Sequence, residues 1–444
     1  MNFNDYFYLQ RYSIAKKGAI LAYNSAIKHQ HLDESELKEL SWQKTKKLLM
    51  HAYENVEWYH ETFKKLDLHP NDISKPEYYA QVPILKRQDI ICNFEKFIAK
   101  GTGSKDLNYI TTGGSSGEPL KIGVNKHRIR EVQKWQMFNW WDTPLNANIA
   151  SVYRGLPLGG LKALALGGIN WPQKVIRLDA TQITPDKIKN FITKYKRIRP
   201  KIIHGYVGAV DAIADYILEY NITFDFKPNA IWLTAAPVTK VQESKISKAF
   251  NNASICDQYG CSEIYFIASE CTHKKGLHIF ADSVKLEIVD NSNKIVDYNQ
   301  QGKIILTNLD EYSFPLIRYE NGDEGRLLKE RCTCGMSLPL LGKVKGRISD
   351  NLILPDGTIL SGEYLTTIFD DYTDIVRQFQ IVQKKDLSIT VKICLYDINK
   401  SHRINKEIYK QLETRIDKQV PFKIEIVTKI ESNKGKLRYI IKEN

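Results

Sequence analysis

From residue 150 to residue 260, short apolar runs alternate with helical stripes, and no other feature limits the fold of this chain as tightly. Lys201-Ile202-Ile203-His204 reads as a short strand, and Val207, Val210, Ile213, Ala214 and Ile217 follow as one helix face. Ala230-Ile231-Trp232-Leu233-Thr234 reads as the next strand, and 239–250 as the next helix. Such alternation predicts βαβ units. Outside this window the pattern changes. Leu37, Leu40, Leu48, Leu49, Ala52, Tyr53, Val56 and Tyr59 predict one helix over 37–65, with Ser41 as an alternative cap for a later start. A further helical stretch covers about 126–141. Residues 284–289 and 303–307 read as strands with turn residues between them, so this part is β-rich. Beyond Gly346 come strands near 375–383 and 388–395, a helix near 404–418 and a strand near 422–428. The expected fold class is α/β. A large N-terminal α/β region with a β-rich subdomain spans 1–346, and a small α+β region spans 347–444. A length of 444 residues fits this division, being too long for one ordinary domain.

The net charge is +13, from 64 Lys and Arg against 51 Asp and Glu. A basic balance suits nucleic acid, membrane surfaces or anionic small molecules. Here the excess is spread along the chain, and no basic stretch interleaves with aromatics as a nucleic-acid platform would. With 43% apolar residues the chain can build a large core, which excludes wholesale disorder. No run of about 18 apolar residues predicts a membrane span. The start, Met1-Asn2-Phe3-Asn4-Asp5-Tyr6, lacks the basic and apolar segments of a secretory signal. Seven cysteines without framework regularity then point to reduced thiols or a metal site in a cytoplasmic protein.

The sharpest chemical signal is Tyr109-Ile110-Thr111-Thr112-Gly113-Gly114-Ser115-Ser116-Gly117-Glu118-Pro119-Leu120. Glycines let backbone N–H groups turn towards an anion without Cβ obstruction, and hydroxyls add donors. This is how a loop cradles phosphates. No lysine follows Gly117, so it is not a P-loop, and it is not a dinucleotide fingerprint either. A flexible surface loop is the bland alternative. Four further segments follow in order: Asp257-Gln258-Tyr259-Gly260-Cys261-Ser262-Glu263, Ile317-Arg318-Tyr319-Glu320-Asn321-Gly322-Asp323, Gly346-Arg347-Ile348-Ser349-Asp350 and Ser432-Asn433-Lys434-Gly435-Lys436-Leu437-Arg438.

In this order and spacing the five segments resemble the adenylate-forming (AMP-binding) superfamily. More narrowly, the chain is similar to the phenylacetate–CoA ligase family and its capsular polysaccharide biosynthesis (CapK-type) branch. His51–Tyr59, Val82–Asp89 and Gly276-Leu277-His278-Ile279 carry the same resemblance. It implies that Thr112, Gly113, Gly114, Ser115, Ser116 and Gly117 hold the ATP phosphates. Asp257, Tyr259 and Gly260 belong to the nucleotide site, with Tyr259 near adenine. Glu263 holds Mg²⁺, Asp323 accepts from the ribose hydroxyls, and Arg347 contacts nucleotide phosphate or ribose. Lys436 is the mobile catalytic lysine, with Lys434 as its rival. The implied reaction joins a carboxylic acid to ATP as an acyl-adenylate with release of pyrophosphate. The acyl group then passes to CoA or, in the capsule branch, to an amine or hydroxyl of a sugar or carrier. The region 347–444 serves as a mobile lid, and a homodimer is expected by analogy. Three departures stand out: Glu118 replaces the usual lysine, Ser349 with Asp350 occupies the hinge, and Ala236 stands where relatives carry a glycine- or glutamate-containing strand end. A homologue that kept the fold but only binds nucleotide is the rival reading.

Cys271-Thr272-His273-Lys274-Lys275-Gly276-Leu277-His278 and Cys332-Thr333-Cys334 form a second constellation. Three sulfurs and an imidazole close a tetrahedral structural zinc site. Some relatives carry zinc at the matching place. Spacing leaves open whether His278 or His273 joins Cys271, Cys332 and Cys334. His204-Gly205-Tyr206 stands between a strand and a helix, as either part of an acyl pocket or simple turn chemistry. Trp140-Trp141 is expected in the core.

Overall fold

The computed structural model describes residues 3–112, 120–153, 170–180, 183–234, 238–344, 352–356, 359–360, 365, 367–369, 372, 375–416, 420–430 and 439–443. The chain divides into two compact units. One joins Met1–Trp141 with Gln258–Lys345, and the other joins Asp142–Asp257 with Gly346–Asn444.

The second unit contains the alternating window. Val175–Asp179, Ile149–Tyr153, Ile202–Tyr206, Ala230–Thr234 and Ile255–Asp257 pair side by side, all parallel. Helices Pro185–Ile198, Val207–Glu219 and Lys240–Ala249 connect them. Parallel strands covered on both faces read as unbroken apolar runs, and Ala230, Ile231, Trp232 and Leu233 are all buried. The strand expected at 201–204 runs on to Tyr206. At Gly205 a Cβ would stand 2.8 Å from the Val152 Cβ and carbonyl, so strand pairing there requires glycine. Beyond Gly346, Val376–Gln383 and Ile389–Leu395 form an antiparallel pair flanked by Ile440–Lys442 and Phe422–Ile426. The helix Ser401–Ile416 covers them through Ile404, Ile408, Leu412 and Ile416. The expected link at 346–350 lies outside the described residues.

The first unit opens with helices Phe3–Ala15 and Ala19–His29, then Glu34–Asn55 and Glu57–Lys65. The single helix expected over 37–65 is therefore two. Val56 is extended (φ −121°, ψ 114°) and separates them. Nor does Ser41 cap the first. Asp33 does, because its Oδ1 accepts from the Glu36 N–H at 2.8 Å while Glu36 Oε2 accepts from the Asp33 N–H at 3.1 Å. The stretch expected over 126–141 is helical only over Val132–Trp140. Trp140 and Trp141 are buried, with indole N–H groups donating to Gln30 Oε1 and the Glu270 carbonyl, which is a core role. Leu107–Thr112 and Leu120–Asn125 form a hairpin. Val284–Val289, Gly302–Asn308 and Tyr319–Gly325 form a three-stranded antiparallel sheet. Gln258 and Tyr259 pair with Ala268–Glu270, followed by Leu277–Ile279, Leu340–Leu341 and Leu327–Leu328. Among the described residues no helix is long and apolar enough to cross a membrane.

Candidate active site

Two of the expected nucleotide-site residues, Tyr259 and Asp323, meet in the first unit, and a third, Glu263, bonds Tyr319 at the start of the Asp323 strand. Tyr259 ends its strand, and its hydroxyl donates to Asp323 Oδ2 at 2.8 Å. Asn321 Nδ2 donates to the same hydroxyl at 2.7 Å and to Asp323 Oδ2 at 2.8 Å. Asn321 and Asp323 flank Gly322 on the strand Tyr319–Gly325, where the pairing register with Gly302–Asn308 shifts and the regular alternation is broken. Gly322 between them has φ +86°, a conformation that few residues with a Cβ adopt. Burial and the neighbouring Asp323 charge hold the Tyr259 phenol well above its ordinary pKa, so it stays a neutral donor. A carboxylate offers about four lone-pair sites, so Asp323 can accept from ligand hydroxyls as well.

After Tyr259 the chain turns sharply. At Gly260 a Cβ would come within 2.0 Å of the Tyr265 carbonyl oxygen, so only glycine fits. Cys261 closes the turn. Its N–H donates to the Ile264 carbonyl at 3.1 Å, and its sulfur accepts from the Ile264 N–H at 3.3 Å. Burial first, then the Glu263 charge, pushes the Cys261 thiol well above its usual range, so it remains protonated. Glu263, presented by this turn, has a side chain only 2% exposed. Its Oε1 accepts from the Tyr319 hydroxyl at 3.2 Å and lies 4.0 Å from Arg87 Nη1. The donor set on Glu263 is modest for a buried carboxylate. Among the described residues its partners are the Tyr319 hydroxyl, the Cys261 thiol and the more distant Arg87, and a carboxylate has further acceptor sites for a cation such as Mg²⁺.

Other expected residues fall elsewhere. Asp257 lies on the strand two residues before Tyr259, opposite Leu233. Thr112 ends the strand Leu107–Thr112. Gly113, Gly114, Ser115, Ser116, Gly117 and Glu118 lie outside the described residues, as do Ala236, Arg347, Ser349, Asp350 and Lys436. The sequence reading missed Asn321, Tyr319 and Arg87 as partners, although all three stand inside segments it singled out.

His204 ends up among aromatics. Its Nε2 lies 2.6 Å from the Tyr153 hydroxyl, and its ring stacks on Trp232 at 3.4 Å. Tyr206 packs 4.6 Å from Tyr153. Tyr153 and Tyr206 end their parallel strands, where ligands bind in open α/β sheets, while His204 and Trp232 stand at the middle of theirs.

The cysteine constellation also assembles. The ligand atoms of Cys271, His278, Cys332 and Cys334 lie within 4.8 Å of one another. Cys271 Sγ is 3.6 Å from Cys332 Sγ, and Cys334 Sγ is 3.4 Å from His278 Nε2. Tetrahedral zinc with ordinary bond lengths separates two sulfurs by about 3.8 Å and a sulfur from a nitrogen by about 3.5 Å. The four residues therefore fit zinc. His278 is placed by its strand, opposite Leu340. His273 turns away, with Nδ1 2.8 Å from the Thr333 hydroxyl. Burial draws the His278 pKa down to about 4, which keeps the imidazole in its metal-binding neutral form. Burial also pushes the Cys271 thiol up to about 12, so a bound cation would have to displace its proton.

Comparison with known proteins agrees with this architecture. Residues 352–443 match the CapK C-terminal domain family. The chain is 26% identical over 452 residues to Protein CapK of Staphylococcus aureus, covering 97% of this chain and 96% of that one. It is 21% identical to Phenylacetate-coenzyme A ligase of Thermus thermophilus, covering 80% of each. A solved structure of 2-hydroxyisobutyryl-CoA ligase, in the postadenylation state in complex with R3-HIB-AMP, superposes with a TM-score of 0.77. The identity is 15%, and the match covers 94% of this chain and 91% of that chain. The fold is the one these adenylate-forming ligases share, a large N-terminal region with a smaller C-terminal domain.

Proposed function

From a chain related to CapK and the phenylacetate–coenzyme A ligases, we propose an enzyme that activates an organic carboxylic acid as its acyl-adenylate, using ATP and Mg²⁺, and then passes the acyl group to CoA. The observation that carries this reading is the gathering of Tyr259, Glu263 and Asp323 around two segments far apart in sequence. A carboxylate oxygen of the substrate attacks the α-phosphorus, and charge builds on phosphate oxygens and on the leaving pyrophosphate. Glu263 would hold Mg²⁺, which supplies electrostatic stabilisation of that charge. Asp323, with its Oδ2 oriented by Tyr259 and Asn321, would accept from the ribose hydroxyls. The loop 112–117 and Arg347 would bind phosphate, and Lys436, carried by a lid over 347–444, would add a point charge at the reacting phosphate.

A second reading of the last step has its own support. The chain aligns along nearly its whole length with Protein CapK, and its C-terminal segment matches the CapK type. In that reading the acceptor is an amine or hydroxyl of a sugar or carrier in surface polysaccharide synthesis, and CoA has no part. ATP–pyrophosphate exchange tests the shared first step because it needs no acceptor. Magnesium-dependent exchange with one class among aryl acids, short fatty acids and amino acids is the expected result. ATP binding without exchange on any acid would instead favour a nucleotide-binding homologue. Adding CoA or amine acceptors to the active acid then separates the two second steps.

We further assign Cys271, His278, Cys332 and Cys334 to one structural zinc. A site closed by four protein ligands leaves no open position for catalysis. Protein purified without added metal should contain about one zinc per chain, and Cys332→Ser should lower both zinc content and melting temperature. Zinc far below one per chain, with stability unchanged by chelation, would refute the assignment.

A further inference from the structure

We propose that the cleft shared by Glu263, Arg128 and Arg130 holds a second carboxylate of the acid substrate, so that the enzyme prefers a dicarboxylic acid. This rests on the adenylation reading and names its substrate class. Arg128 and Arg130 line the cleft together with Ser262 and Glu263, and Ile110 and Val124 supply an apolar wall. Such a lining suits a carbon body with an anion at its end.

Arg130 is the key observation. Its Nη2 is buried and has no hydrogen-bond partner among the described residues. A buried guanidinium N–H left unpaired is costly, and a bound carboxylate would satisfy it. Glu131 and Glu263 stand in the same neighbourhood, and the two other acids near the guanidiniums, Glu311 and Asp310, are engaged elsewhere. Glu311 accepts from the backbone N–H groups of Asn125 and Ser313, both at 3.1 Å. Asp310 Oδ1 takes Lys44 Nζ at 2.8 Å, and its Oδ2 stands 3.8 Å from Arg128 Nη2. Neither closes on Arg130. Burial first, then the like charge of Arg128, draws the Arg130 pKa below its usual value, and an anion between the two guanidiniums relieves both effects. Guanidinium forks match a carboxylate or a phosphate in geometry. The ATP polyphosphate tail is thus the other source of the same chemistry.

Pyrophosphate exchange with matched acids decides between them. Adipate is compared with hexanoate, and 4-carboxyphenylacetate with phenylacetate, for the wild type and Arg130→Gln. The wild type should favour each dicarboxylate by about tenfold or more in kcat/KM, in line with a charge-assisted hydrogen bond. Arg130→Gln should bring that ratio close to one by raising KM for the dicarboxylate, while KM for ATP holds. A wild type that prefers the monocarboxylates, or an Arg130→Gln enzyme whose KM rises for ATP instead, overturns the proposal. Arg130→Lys keeps the charge without the fork, and its partial retention of the preference guards against reading a folding defect as a lost contact. Calorimetric titration of adipate without ATP separates the two readings. Should no acid support exchange, the adenylation reading fails. Adipate binding that Arg130→Gln abolishes still upholds the cleft assignment, and no binding sinks it.

Discussion

Lys436→Ala is expected to slow acid-dependent ATP–pyrophosphate exchange by about 10²–10³-fold, the range for losing one preorganised electrostatic contact to developing charge. The effect should fall on the exchange rate more than on KM for ATP, because the contact strengthens as charge shifts onto phosphate oxygens. Lys434→Ala, two residues away, serves as the comparison and should remain within a few-fold of the wild type, since the Gly-Lys-x-Arg pattern singles out Lys436. Glu263→Gln keeps the shape of the side chain and removes its charge. It should weaken the response to magnesium, raising the Mg²⁺ concentration needed for half-maximal exchange. Exchange at the wild-type rate in Lys436→Ala, with loss in Lys434→Ala, would transfer the role. Full exchange in both would remove the lysine from the chemistry.

The parallel module was legible because each of its strands is a complete signal on its own. Ala230–Thr234 is apolar, short and flanked by turn residues, and its boundaries come out as read. Val56 shows where such reading fails. It is apolar and in phase with Leu49 and Ala52, so periodicity runs through it, and only its extended backbone reveals the break. The first two helices escaped notice for a related reason. Phe3–Ala15 has only a weak apolar stripe, and it is held by tertiary packing of Tyr8 and Tyr12 against Trp135. In the site, Glu263, Tyr259 and Asp323 were visible as residue types at characteristic spacings. Their meeting was not, because it depends on Asn321 and Tyr319 reaching across from another strand. The choice between His273 and His278 needed strand register rather than spacing, since pairing with Leu340 is what turns His278 towards the cysteines. Arg128 and Arg130 gave no signal at all. On a chain with 64 Lys and Arg, two more cations near a hairpin read as solvated surface until their burial is known.

Lys245→Ala is expected to cost about 3–5 kcal/mol of unfolding free energy near neutral pH, the penalty for stranding buried charges. The Lys245 side chain is fully buried, with Nζ 2.9 Å from Asp211 Oδ1 and 3.0 Å from Asp215 Oδ1. It also donates to the Arg377 carbonyl at 3.0 Å, which joins helix Lys240–Ala249 to strand Val376–Gln383 inside the second unit. Gln378 Nε2 donates to Asp215 Oδ2 at 3.2 Å and reaches Asp211 Oδ2 at 3.4 Å. Burial raises the Asp215 pKa, and the Lys245 charge opposes that rise. Removing the lysine therefore lifts Asp215 further. A carboxyl whose folded pKa lies above its unfolded value destabilises the fold once pH exceeds that unfolded value, and the penalty is full above the folded pKa. The deficit of Lys245→Ala should thus be largest at neutral pH and shrink on acidification, as Asp215 takes up its proton. Urea midpoints measured from pH 7.5 downwards would show the trend. Lys245→Met combined with Asp211→Asn and Asp215→Asn removes all three charges and should recover most of the loss, because a replaced buried ion cluster is often near neutral in stability where a broken one is not. A loss below about 1 kcal/mol for Lys245→Ala, flat with pH, would mean that water reaches the cluster and that the pairing behaves as a surface salt bridge.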